Sequence, residues 1–178
     1  HENELVKLHI TNDLGTDLYV GLPKNHIWQS AGSYAKKADR FVANIPTEEV
    51  FTMPHKDETS GIVYNAKPLN YSGVLIDNFW LKFEDGKVVD FGAERGYDVL
   101  KNLLETDEGS RRIGEMALVP YDSPISNTKI LFLETLFDEN AACHIALGKA
   151  YPTCVQGGPE MTDEQLAEVG ANDSLVHV

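Results

Sequence analysis

Phe79-Trp80-Leu81-Lys82-Phe83-Glu84-Asp85-Gly86-Lys87-Val88-Val89-Asp90-Phe91 is the stretch whose reading decides the fold class. Phe79, Leu81 and Phe83 fall on every second position, the repeat of a strand with one buried face, and the run stops at Glu84-Asp85-Gly86. Lys87 to Phe91 then leads away. Asp-Gly between two such runs is the strongest short-range hairpin signal in the chain, because the tight turn that matches strand twist needs positive φ at both central residues. Toward the N-terminus, Val6, Leu8 and Ile10 alternate with Lys7 and His9, Thr11 to Gly15 supplies turn chemistry, and Leu18, Val20 and Leu22 resume the alternation.

Helices are predicted only later. Val99, Leu100, Leu103 and Leu104 put one apolar stripe on a segment from about Tyr97 to Glu105. A second helix has better punctuation: Thr162 and Gln165 form a capping box, Leu166 and Val169 give the buried side, and Gly170 stands where a terminating glycine belongs. Early strands and helices that do not alternate with them predict a strand-rich α+β domain with a mainly antiparallel or mixed sheet and a few helices.

The 178 residues, 42% of them hydrophobic, suffice for one substantial core. A net charge of −13, with 15 scattered basic residues and only Lys36-Lys37 and Arg111-Arg112 adjacent, predicts no nucleic-acid partner. No stretch is long and apolar enough for a membrane span, and the first residues lack a signal-peptide pattern, which predicts a cytoplasmic protein without membrane contact. Cys143 and Cys154 form neither a CxxC pair nor a disulfide framework and suit a reducing compartment. They receive no role.

The segment from Asp138 to Tyr151, DENAACHIALGKAY, places acids, an imidazole and a phenol among small residues that leave room around polar groups. His144 must be satisfied if buried, by a hydrogen bond or by a metal, and taken singly it reads first as a satisfied core histidine. His177 points to the opposite face of a presumed strand from Val176 and Val178; alone it reads as a partly exposed strand residue. Glu48 and Glu49 follow Pro46 and read first as a solvated helix start. Glu115 enters an apolar run that continues to Val119, where a carboxylate needs a partner. Tyr151, before Pro152, reads singly as a core aromatic.

Together, the runs NIPTEEVFTMP (44–54), DEGSRRIGEMALVP (107–120), LFDENAACHIALGKAY (136–151) and NDSLVHV (172–178) closely resemble the aminopeptidase T/aminopeptidase S (PepS-like) family of bacterial metallopeptidases. The resemblance runs in order along essentially the whole chain. It implies a two-metal exopeptidase that removes N-terminal residues from peptides with a free N-terminus, uses two divalent ions (zinc or cobalt), and assembles as a homodimer. It also implies a curved, partly closed sheet that can approach a barrel. Glu49, Glu115, Glu139, His144 and His177 are the implied metal ligands, with Glu49 preferred to Glu48. Glu115 is also the implied bridging group and general base, and Tyr151 the implied oxyanion donor.

Family members are about twice this length, with an N-terminal domain and, past Val178, a further Asp ligand. Residues 1–178 are therefore expected to be a single C-terminal metal-binding catalytic domain of a longer chain. Two readings compete with an aminopeptidase: a catalytically inactive dimerisation or scaffold fragment, and a metal-dependent hydrolase of other amides.

Overall fold

The computed structural model describes residues 5–35, 39–42 and 45–178. Lys36, Lys37 and Asn44, quoted above, lie outside the described residues. The chain runs through β1 (Lys7–Thr11), β2 (Asp17–Gly21), β3 (Gly32–Tyr34), β4 (Arg40–Val42), β5 (Val50–Thr52), β6 (Thr59–Tyr64), β7 (Leu69–Tyr71), β8 (Val74–Glu84) and β9 (Lys87–Arg95). It continues through α1 (Tyr97–Leu104), β10 (Ile113–Leu118), α2 (Pro124–Thr128), α3 (Thr135–Asp138), β11 (His144–Leu147) and α4 (Asp163–Glu168). The fold is α+β, and the strand pairs are antiparallel. Among the described residues, no helix is long and apolar enough to cross a membrane.

The Asp-Gly hairpin joins β8 to β9. Glu84 pairs with Lys87, and Asp85 (φ 47°) and Gly86 (φ 77°) supply the two left-handed residues that a two-residue turn requires. Gly86 is needed for a second reason: a Cβ there would lie 1.8 Å from the Lys56 carbonyl oxygen. The large sheet orders β1-β2-β6-β8-β7, with β9 also on β8, and it is open rather than closed into a barrel. Leu81, Phe83 and Val88 of the hairpin bury against Leu18, Val20 and Ile76 from the sheet and Leu100, Leu103 and Leu104 from α1. Each such side chain contributes about 1.5–3 kcal/mol relative to exposure, so truncating Leu104 to Ala costs about 2–5 kcal/mol.

The second sequence-predicted helix is α4. Gln165 N–H donates to Thr162 Oγ1 (3.3 Å) and Thr162 N–H to Gln165 Oε1 (2.9 Å), closing the capping box. Gly170 takes φ 90°, and Ala171 N–H to Leu166 O with Gly170 N–H to Ala167 O completes a Schellman stop.

A small sheet, ordered β11-β10-β5, carries the polar residues of interest. Residues 147 to 149 also pair with the C-terminal segment, through Leu147 N–H to Val178 O (2.6 Å), Val178 N–H to Leu147 O (3.0 Å) and Lys149 N–H to Val176 O (2.7 Å). Val176 and Val178 pack on the main core, which leaves His177 on the opposite face, as the alternation predicts.

Candidate metal centre

In the small sheet, Ala117 pairs with His144 on one side and Phe51 on the other, and Glu115 pairs with Ala146. Directly opposed side chains share a face, so Glu115, Ala117 and His144 point the same way. Ile113 pairs with Leu147, and both belong to the main core on the other face. Residues two apart in a regular strand would face the same side. The register shift between Ile113 and Glu115 breaks that rule, so a bulge at Gly114 turns Glu115 away from the core and onto the site. No side chain fits at Gly114, where a Cβ would lie 2.3 Å from Gly148 O and 2.5 Å from Lys149 O.

Glu49 lies one residue before β5, and its carboxylate is buried with that of Glu115. His144 Nε2 is 3.0 Å from Glu49 Oε2 and 3.7 Å from Glu115 Oε1. His177 Nε2 is 3.8 Å from Glu115 Oε2. Both imidazoles are oriented the same way: His144 Nδ1 is 3.0 Å from Ala142 O and His177 Nδ1 2.8 Å from Lys149 O. A carbonyl only accepts, so each Nδ1 carries the proton and donates, and each Nε2 turns toward the carboxylates.

Glu139 stands in a single 3-10 turn (Glu139–Ala141) directly after α3. Burial pushes its carboxyl up to about 7; Glu49 and Glu115 add to the rise, and His144 opposes it. Burial alone would lower His144, but the adjacent carboxylates of Glu115 and Glu49 outweigh it and raise the imidazole to about 10. Tyr151 is half-exposed at the rim, its ring 4.7 Å from that of His177 and edge-on to Phe51 at 6.1 Å. Burial and then the charges of Glu115, Glu139 and Glu49 raise its phenol, which keeps it a proton donor. A cleft of about 570 Å³ opens beside Glu49, between Thr47–Val50 and Leu118–Pro120.

The comparisons with known proteins fit this geometry. The family model for thermophilic metalloproteases (M29) matches residues 1–178. The chain belongs to the M29 metalloprotease family. It is 58% identical to Aminopeptidase 2 of Geobacillus stearothermophilus over 89% of its own length and 38% of that protein's. It is 52% identical to Aminopeptidase AmpS of Bacillus subtilis over its whole length and 43% of the relative's. The solved structure of AmpT from Thermus thermophilus superposes with a TM-score of 0.91 and 47% identity, covering 97% of this chain and 42% of that one. The chain thus spans about two fifths of the length of these M29 relatives.

The residues of this M29 chain suit a divalent cation. Glu49 Oε2 and His144 Nε2 are fully buried and make no hydrogen bond of acceptable geometry, although they lie 3.0 Å apart. Unpaired buried donors cost stability unless something absent from the protein engages them. Glu49, Glu115 and His144 each offer one ligand atom within 4.8 Å of the others, a nitrogen-and-oxygen set suited to zinc or cobalt.

Of the residues singled out from the sequence, Glu49, Glu115 and His144 are brought together, His177 reaches Glu115, and Glu139 and Tyr151 face the cluster electrostatically. Glu48 is outside it: its Oε2 accepts Ile125 N–H (3.1 Å) at the start of α2. The pair Glu48-Glu49 does not begin a helix; it leads into β5. Sequence reasoning missed Asn140, which is fully buried beside Glu139. An amide set among Ala141 and Ala142 was the available signal.

Proposed function

We propose that this M29 chain is the metal-binding catalytic domain of an aminopeptidase that hydrolyses the N-terminal bond of peptides at a dinuclear site. The observation that carries the reading is the buried, mutually unsatisfied pair Glu49 Oε2 and His144 Nε2 beside Glu115. A scaffold without chemistry would gain nothing from burying two carboxylates against an imidazole whose 3.0 Å contact is not a well-aligned hydrogen bond. The names of the relatives supply the reaction class.

Glu49, Glu115, Glu139, His144 and His177 would hold the cations in this reading. When bound, two divalent ions, zinc or cobalt, supply a lowered pKa for water and a polarised scissile carbonyl. The Glu115 carboxylate accepts the proton released by the attacking water and passes it to the departing amine. The Tyr151 hydroxyl, held protonated by its surroundings, donates to the developing oxyanion. Peptides with a free N-terminus are the substrates and a homodimer the assembly. The free thiols of Cys143 and Cys154 support a cytoplasmic location.

Two measurements test this. Mass spectrometry after zinc loading and dialysis should find two ions per chain in a form extended past Val178 and fewer in residues 1–178; none in either would leave only the scaffold. Amino-acid p-nitroanilides should be cleaved and their N-acylated equivalents spared, whereas equal cleavage of both would identify a different amide hydrolase.

A further inference from the structure

The structure assigns to Asn140 the task of positioning the two acids that no strand pairing holds. Asn140 is completely buried, and its carboxamide is used at both ends. Its Oδ1 accepts Glu48 N–H at 2.7 Å, while Nδ2 donates to Leu136 O at 3.0 Å and Pro46 O at 3.3 Å. The Glu48 contact spans 92 residues and the Pro46 contact 94, and the ends of the first each adjoin an acid of the site: Glu48 precedes Glu49, and Asn140 follows Glu139.

Glu115 and His144 need no such clamp, because both stand on paired strands. The β5–β10 ladder ends at Val50 opposite Leu118, so Glu49 is already beyond it. Glu139 belongs to a 3-10 turn that runs on from the four-residue α3 and pairs with no strand. A single amide plane therefore fixes the distance between the Pro46–Glu49 segment and the turn bearing Glu139. An amide suits the task because it offers an acceptor and two donors in one rigid unit. This inference rests on the metal reading above, with Asn140 as a positioning residue that touches no substrate.

The test measures zinc affinity of the full chain by competition with a chromophoric chelator, alongside the melting temperature of the metal-free protein. Asn140→Ala should weaken zinc binding by about 10–100-fold, the range for residues that orient metal ligands. Ile76→Val, in the main core, provides a destabilised control whose zinc affinity should stay within twofold. If Asn140→Ala does not fold, Asn140→Asp decides the matter: it keeps the acceptor for Glu48 N–H but cannot donate to Pro46 O or Leu136 O. Its added negative charge should by itself tighten cation binding, so weaker binding isolates the lost clamp. Unchanged or tighter binding in the folded variants overturns the assignment. A wild-type chain that binds no zinc overturns the metal reading and this inference with it.

Discussion

Two kinds of structure converge on the candidate centre. Glu115 and His144 sit in the β10–β11 ladder, where backbone hydrogen bonds and register fix each Cβ, and the Gly114 bulge selects the face. Glu49 and Glu139 sit on irregular chain, held near each other through the side chain of Asn140. The ladder half is over-determined, since many cooperative bonds would have to change for it to move. The loop half is held by side chains instead, through the three hydrogen bonds of Asn140 and the Ile125 N–H that Glu48 accepts. In the proposed reading, the general base Glu115 and the ligand His144 stand on the rigid half, and the ligands Glu49 and Glu139 on the less regular one.

The largest expected effect falls on the ladder. Glu115→Gln keeps the shape of the side chain and its place in the strand, so folding should survive. Turnover of an amino-acid p-nitroanilide, measured in the complete enzyme, should fall at least about 100-fold, as expected for loss of a general base. Near-normal turnover would remove Glu115 from that role and make the two halves chemically equivalent.

Next comes the device that aims Glu115. Gly114→Ala would set a Cβ against two backbone carbonyls, and neither can give way as the end of a flexible side chain could. The bulge must open or re-register, at a cost of about 1–3 kcal/mol typical of overpacking. That corresponds to a melting point lower by several degrees in a chain of this size. Zinc affinity should drop as well, because Glu115 turns partly toward the core. A variant that melts lower with normal zinc affinity would show that the bulge serves stability alone.

The same division explains what could be read from the sequence. The Asp85-Gly86 hairpin, α1 and α4 were legible because local chemistry and burial agree there: positive-φ residues at the turn, one apolar stripe, caps at both ends. Glu115 was legible as a carboxylate in an apolar run, and it does lie buried in β10. Single-residue reading failed for Glu48 and Glu49, since acids after a proline look like a helix start when the pairing of the following residues with β10 is unknown. The resemblance, rather than any local signal, distinguished Glu49 from Glu48. The amide of Asn140 could be noted among small residues, but its role could not be read, because its partners lie four and more than ninety residues away. The bulge at Gly114 was equally hidden, as it depends on Gly148 and Lys149 packing across the ladder.

The smallest expected effect separates the halves by proton affinity. His144, on the ladder, is raised from an ordinary 6.5 to about 10, and Glu139, on the loop, from 4.5 to about 7. For His144, the stability gained from its carboxylate partners is complete below pH 6.5 and is lost as pH climbs through about 10. Glu139 prefers its proton in the fold, so stability declines from pH 4.5 to about 7 and is level beyond. In both cases the folded chain holds more protons than the unfolded one, and the metal-free protein should melt at progressively lower temperature as pH rises. In the proposed reading zinc should reverse the trend, because it would bind the neutral imidazole and the ionised carboxylate and release those protons. The melting-temperature gap between zinc-loaded and metal-free protein should therefore widen steadily from pH 5 to pH 9. Glu139→Gln should remove the change below about pH 7 and leave the upper part. If that variant instead flattens the whole profile, loop and ladder titrate as one unit, and the distinction between them is mechanical only.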